Sequence, residues 1–417
     1  MSLKGNSLAS MYLNEYTLRP YCRVGNDEEV DSYSLLKKGV WAYILLLFFE
    51  GALRKWVFPG LATPLLVVRD PLALWLVLLT WKRGLLPFNL YLTGMVLIGV
   101  VGIFSAIFAG HGNLPVALYG ARILLIHFPL IFVIGRVFDR EDVIAVGKTV
   151  LLMTIPMVIL IAFQFYSPQT AWVNRGVGGD VDGGGFTGAL GYFRPPGTFS
   201  FTNGNAYFFG FVAPFVLYFW LDRKPVKNLS LVAATVALVL AIPLSISRTL
   251  LFMFVISSSY ALVAILRKPE HLGKMLIAIM GGVLALLVLS QTRLFGTASE
   301  AFTTRFDSAN KTEGGLEGVF LDRFIGGLIG AFTKNADLPF WGYGLGMGTN
   351  VGSKLLYGDT AFLISEEEWG RVIGELGPLL GATIIFLRIG LTIKIVKACY
   401  SKLTKGDLLP WMLLSYG

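Results

Sequence analysis

From residue 35 onward the chain alternates apolar blocks of roughly 18–24 residues with short polar connections. A helix of that length crosses about 30 Å of hydrocarbon at about 1.5 Å per residue. Helices and closed barrels alone satisfy every backbone polar group in lipid, and the short alternating strands of a barrel are missing here. The pattern therefore predicts an all-α, polytopic transmembrane bundle. Spans are expected near 40–58, 64–81, 87–108, 114–135, 143–166, 204–221, 229–246, 249–266, 274–291 and 371–393. An eleventh begins near Leu408, and the sequence stops inside it at Gly417. Residues 1–34 read as a polar tail without the apolar segment of a cleavable signal, and 35–417 as a single transmembrane domain.

Alternating the spans gathers Lys37/Lys38, Lys82/Arg83, Arg136/Arg140, Arg223/Lys224/Lys227, Arg267/Lys268/Lys274 and Lys394/Lys397/Lys402/Lys405 on one side. Positively charged loops face the cytoplasm, so this side and the N-terminal tail are expected there. Two long segments, 167–203 and 292–370, fall on the opposite side. Long connections in compact proteins are usually functional or disordered, which makes these two the expected seat of function.

Composition agrees. With 55% hydrophobic and 15% charged residues and a mean hydropathy of +0.67, a chain of 417 residues does not fit a soluble surface. Cys22 and Cys399 both fall on the cytoplasmic side, which speaks against a disulfide framework or a metal cluster. The net charge of +9 is no nucleic-acid signal until it is divided by side. Of 35 basic residues, 20 sort to the cytoplasmic side and tail, 13 of them Lys, while Arg122 and Arg388 lie within spans. The other 13 are outside, and nine are arginines: Arg54, Arg69, Arg175, Arg194, Arg248, Arg293, Arg305, Arg323 and Arg371. Arginine pairs bidentately with phosphate or carboxylate, so this set suggests an anionic ligand; the rival is snorkelling to lipid headgroups and pairing with loop carboxylates.

The first long loop has eight glycines between 176 and 191, which should make that part flexible. Asp180 and Asp182 before Gly183 superficially resemble a calcium loop, but the remaining ligand positions are missing. Arg194-Pro195-Pro196-Gly197 follows, and the prolines should hold Arg194 near the mouth of the next span. Arg248 sits after Ser245-Ile246-Ser247 where two spans meet with almost no loop, so it is pinned at the boundary as ligand contact or ion pair. Arg122 and His127 should project about 140° apart on an α-helix, with His127 a hydrogen-bonded packing residue. Glu50, Arg54, Lys55, Arg69 and Asp70 form a charged hairpin whose spacing favours internal pairing.

In the second long loop, Trp341 and Tyr343 stand among the glycines of Phe340–Gly348. They read either as a stacking platform for sugar rings or as an amphipathic segment on the membrane surface. Glu366, Glu367 and Glu368 precede Arg371, offering a general base beside an anion-binding arginine; a solvated acidic helix start is the alternative.

Taken in order, Arg194-Pro195-Pro196-Gly197-Thr198-Phe199, Ser247-Arg248, Gly342-Tyr343-Gly344-Leu345-Gly346 and Glu375-Leu376-Gly377-Pro378 resemble the O-antigen polymerase and ligase superfamily of bacterial inner-membrane enzymes. The likeness covers the architecture from about position 87 onward. It implies a glycosyltransferase C-like bundle with two periplasmic loops. It also implies an undecaprenyl-diphosphate-linked oligosaccharide as donor and acceptor, with no metal and no other cofactor. Flippase and chain-length regulator proteins would be its partners, alongside membrane lipid. Family arginines bind the donor diphosphate, a role that carries onto Arg194, Arg248, Arg323 and Arg371. Family ligases place a catalytic histidine in the large loop shortly before the following span. This chain has only His111, His127 and His271, and Glu366–Glu368 occupy the comparable place. A polymerase with Glu368, then Glu366, as base is therefore the expectation, a ligase the alternative, and a lipid-linked sugar transporter the rival of another class.

Overall fold

The computed structural model describes residues 27–222, 226–267, 291–313, 338–358 and 367–417, with isolated positions between them. Among these residues seven helices are long and apolar enough to cross a membrane, so the protein is a multi-pass helical membrane protein. Many large apolar side chains on the helix flanks, Leu97, Phe104, Phe163 and Phe386 among them, remain exposed, as lipid-facing residues do. The helices are α1 (Asp27–Ala52), α2 (Arg69–Lys82), α3 (Leu90–Phe108), α4 (Leu114–Arg122), α5 (Phe128–Val137), α6 (Arg140–Tyr166), α7 (Thr202–Leu221), α8 (Asn228–Leu244), α9 (Arg248–Arg267), α10 (Arg293–Glu313), α11 (Asn350–Tyr357), α12 (Glu368–Thr404) and α13 (Leu409–Leu414). Local chemistry sets several starts. Asn89 and Asn113 accept from the backbone N–H groups of Leu92 and Val116, and Asp139 and Asp142 close a capping box at α6.

Helix α7 is the centre of the bundle. It is apolar on all sides and buried almost throughout, between α6, α8, α9 and α13, with Phe209, Phe215 and Phe219 at its core. A second core joins α3, α4 and α12 through Met95, Ala121 and Leu376, and a third joins α1, α2 and α5 through Val40, Leu76 and Val133. The expected span 274–291 lies almost wholly outside the described residues. The expected eleventh is the six-residue α13, whose Leu409 and Met412 are buried in the first core.

Three features depart from the pattern. Two π-helical turns, Leu53–Val57 after α1 and Ile123–His127 between α4 and α5, interrupt the α-helical register. In α12, Gly377 (φ 78°, ψ 169°) breaks the helix. Glu368–Leu376 turns back along Pro378–Thr404, because a Cβ on Gly381 would lie 2.7 Å from the Ile373 Cα. The expected span 371–393 is therefore a helical hairpin, its corner at Gly377-Pro378. Finally, the glycine-rich part of 167–203 is folded. Gly176, Gly178 and Gly184 donate to the carbonyls of Asp180, Arg54 and Asn174, and a two-stranded hairpin follows, β1 (Phe186–Ala189) with β2 (Tyr192–Arg194). Leu190 and Gly191, both at positive φ, make its tight turn.

The glycines of 342–348 hold this architecture together at close quarters. Gly346 (φ 91°) packs its backbone on Gly120 and the Val116 carbonyl, where no Cβ fits. Gly84 (φ 65°) also has positive φ but open space around it. Gly84→Ala should cost about 1 kcal/mol for its conformation alone, and Gly346→Ala about 3 kcal/mol or more. Thermal unfolding of the two variants in detergent checks this; equal losses would mean that the contact with α4 does not matter.

Candidate functional site

The segment Arg194–Ser200 is held by groups from three helices. Gly197, at φ 61°, donates its N–H to Gln164 Oε1 (2.8 Å), and its carbonyl accepts from Lys55 Nζ (2.6 Å) and Gln164 Nε2 (3.2 Å). Thr198 Oγ1 donates to the Phe48 carbonyl, Asn205 Nδ2 to the Pro195 carbonyl and Arg54 Nη1 to Ser200 Oγ. The prolines and Thr198 are buried. The backbone that follows Arg194 is held mainly by these side-chain hydrogen bonds, in addition to the two prolines.

Three arginines converge here. Arg194 ends β2, opposite Phe186, and β1 packs against α10 and against the turn before α9, where Gly188 meets Ile246. Ile246 is β-branched yet stands at φ 45°, a costly conformation that sets the sharp reversal ahead of Arg248. One turn beyond Arg248, the Phe252 ring meets Phe306, the neighbour of Arg305 on α10 (6.4 Å between centroids). Burial lowers the Arg194 pKa, and the charges of Arg305 and Arg248 lower it further. The Arg194 Nε is buried and has no hydrogen-bond partner among the described residues. Like charges gathered around a buried, partly unsatisfied guanidinium make a site that gains by taking an anion. Arg305 belonged to the outer basic set, but nothing local singled it out: no proline, glycine or tight turn marks it, and only tertiary packing brings it to Arg194.

Beside this cluster, within the spans, lies a network of ion pairs. Glu50 bridges Arg54 (3.3 Å) and Arg69 (2.8 Å), the first at the expected i,i+4 spacing. Asp70 bridges Arg122 (2.9 Å) and His127 (3.0 Å), and Tyr43 lies against His127 Nδ1 (3.1 Å). The expectation that Arg122 and His127 face apart is corrected by the π turn between them. Its wider register brings residues five apart onto one face and onto one carboxylate. His127 is hydrogen-bonded as expected.

The third constellation is the α12 hairpin. Glu368 accepts from Arg371 (Nη2, 2.5 Å) through Oε2 and from Arg388 (2.9 Å) through Oε1, and Arg371 reaches on to Glu375 (3.2 Å). Glu375 is 2% exposed and also accepts from the backbone N–H of Gly348. The motifs around Gly342–Gly346 and Glu375–Pro378 thus form one unit: Tyr343 and Gly344 donate to the carbonyls of Gly374 and Glu375. A small cavity lies here between Gly120, Leu345, Arg371, Glu375 and Arg388. Trp341 and Tyr343 belong to this unit, with rings 44% and 41% exposed, and Ser105 Oγ donates to the Trp341 carbonyl. Of the predicted site residues, then, Arg194 and Arg248 come together, while Arg371 and Glu368 pair with each other. Arg323 and Glu366 lie outside the described residues.

Fold and site together define a multi-pass helical membrane protein with a cationic cluster where the 167–203 segment meets α9 and α10. No protein-family model, curated protein or solved structure matches the chain.

The Asp70 pairs give a stability test. Removing one partner of a fully buried ion pair typically costs about 3–5 kcal/mol, because it strands the other charge; the half-buried Asp70 pairs should cost less, about 1–3 kcal/mol. Asp70→Leu should destabilise by that order, and adding Arg122→Leu should recover part of the loss. A double variant no more stable than Asp70→Leu in thermal unfolding would show that Asp70 does not compensate Arg122.

Proposed function

We propose that the protein is a membrane glycosyltransferase that polymerises undecaprenyl-diphosphate-linked oligosaccharide units at the periplasmic face of the bacterial inner membrane, with its N-terminus cytoplasmic. The observation that carries the proposal is the convergence of Arg194 with Arg248 and Arg305, around a guanidinium that holds no carboxylate among the described residues. The order of motifs that resembles the O-antigen polymerase and ligase superfamily adds to it.

In the proposed reaction an acceptor hydroxyl attacks the anomeric carbon, forming the new glycosidic bond. The bond from that carbon to the diphosphate breaks, its electron pair leaves with the lipid diphosphate, and a carboxylate takes the hydroxyl proton. Charge grows on the leaving group, and fixed guanidinium groups stabilise it there, in the role a metal plays in other transferases. Glu368 is the first candidate base; to act, it must release Arg371 or Arg388, since each holds one of its oxygens. Glu366 is the second. Arg323 is a further candidate donor contact and Trp341 and Tyr343 the candidate sugar platform, while Arg371, held by Glu368 and Glu375, stands with the candidate base.

Two alternatives have support of their own. Transfer to a lipid or protein acceptor, a ligase activity, would use the same donor site. A lipid-linked sugar transporter is favoured by the broken helix at Gly377 and the charges of Glu368, Arg371 and Arg388 within the span, since transporters bind substrate at broken helices. Purified protein supplied with a lipid-diphosphate oligosaccharide separates these readings. A polymerase releases lipid diphosphate and lengthens the glycan; Arg194→Ala or Arg305→Ala should each reduce the rate about 100-fold or more while the bundle stays folded. Full activity in both variants would remove the arginines from the mechanism, and unaltered substrate with wild-type protein would favour transport.

A further inference from the structure

Lys55 is fully buried, at 0% exposure, in the π turn after α1. Among the described residues no carboxylate pairs with it. Its ammonium group donates to the Gly197 carbonyl and lies 4.4 Å from the Trp56 ring, which stacks on Trp172. Burying an unpaired ammonium among membrane helices is costly, and an apolar chain of the same length would fill the space without that cost. Gln164, 2% exposed, grips Gly197 on both sides from α6, donating to the same carbonyl and to that of Val173 and accepting from the Gly197 N–H. Two buried polar side chains thus converge on one glycine.

That glycine lies three residues after Arg194. Between them stand Pro195 and Pro196, whose φ angles are locked by their rings, so few rotations separate the gripped glycine from the arginine. Asn205 Nδ2 fixes the Pro195 carbonyl on the way. Displacing Gly197 therefore displaces Arg194 as well, and a guanidinium set in place beforehand binds an anion at a lower ordering cost than a mobile one.

We infer that Lys55 and Gln164 are positioning residues for the donor site, fixing Gly197 and through it the Arg194 guanidinium. The inference rests on the reading of Arg194 as a lipid-diphosphate ligand. Neither residue touches the substrate; both act through the arginine.

The test is binding of farnesyl diphosphate, a short lipid diphosphate, to the full chain in detergent, with thermal unfolding recorded for every variant. Lys55→Met and Gln164→Leu should each weaken binding by about tenfold. Lys55→Arg, which keeps a cationic donor, should restore much of it. The decisive comparison is the double variant Lys55→Met/Arg194→Ala, which should bind no more weakly than Arg194→Ala, because Lys55 has nothing left to position. Losses that add would make Lys55 an independent contributor and overturn the inference, as would wild-type binding in Lys55→Met. Should Lys55→Met fail to fold, Gln164→Leu with Arg194→Ala makes the same comparison. Unchanged binding in Arg194→Ala itself would instead overturn the donor-site reading.

Discussion

A charge inside a membrane bundle has no water to fall back on, so each one must find a protein partner or wait for a ligand. The helix arrangement at this end of the protein follows from that constraint. Glu50 ties α1 to the start of α2, Asp70 ties α2 to α4 and the π turn beyond it, and Glu368 ties the two arms of α12 together. Glu375 is buried so deeply that the Gly348 N–H shares it with Arg371. Against this background of satisfied charge, Arg194 stands out. Among the described residues its charged neighbours are arginines; the Arg122 Nε is likewise buried without a partner, but Arg122 has Asp70 where Arg194 has no carboxylate.

The sequence carried most of the fold at the level of its helices. Apolar block length locates α3, α6, α7 and α9 to within a few residues, since length and hydropathy are all that spanning requires. It could not carry the π turns, because the shift from i,i+4 to i,i+5 bonding has no residue signature; the 100° projection therefore set His127 apart from Arg122. Gly377-Pro378 was visible as a motif but read as the opening of a span. The packing of Gly381 on Ile373 and the Glu368–Arg388 pair show that the chain doubles back there.

The candidate site was legible in part for a similar reason. Arg194 and Arg248 are flagged by what surrounds them, two prolines in one case and a loopless reversal in the other. Arg305, Lys55 and Gln164 lie on helical turns with no such marks, and their meaning comes from neighbours distant in sequence. The glycines of 342–348 carried a different message from the one first read. Their spacing serves close backbone packing against α4 and the corner of α12, and the aromatic side chains are what remains exposed. Of the loop glycines in 176–191, Gly178, Gly179, Gly183 and Gly191 serve turns at positive φ.

The central claim is that Arg194, Arg248 and Arg305 surround a lipid diphosphate. Photocrosslinking with a short polyprenyl diphosphate bearing a reactive group near its phosphates, followed by peptide mapping, addresses it most directly. Labels on 186–199, 246–252 and 301–308, suppressed by excess inorganic pyrophosphate, are the expected result. Labels confined to 342–348 and 368–388 would place the ligand in the α12 hairpin and contradict the account.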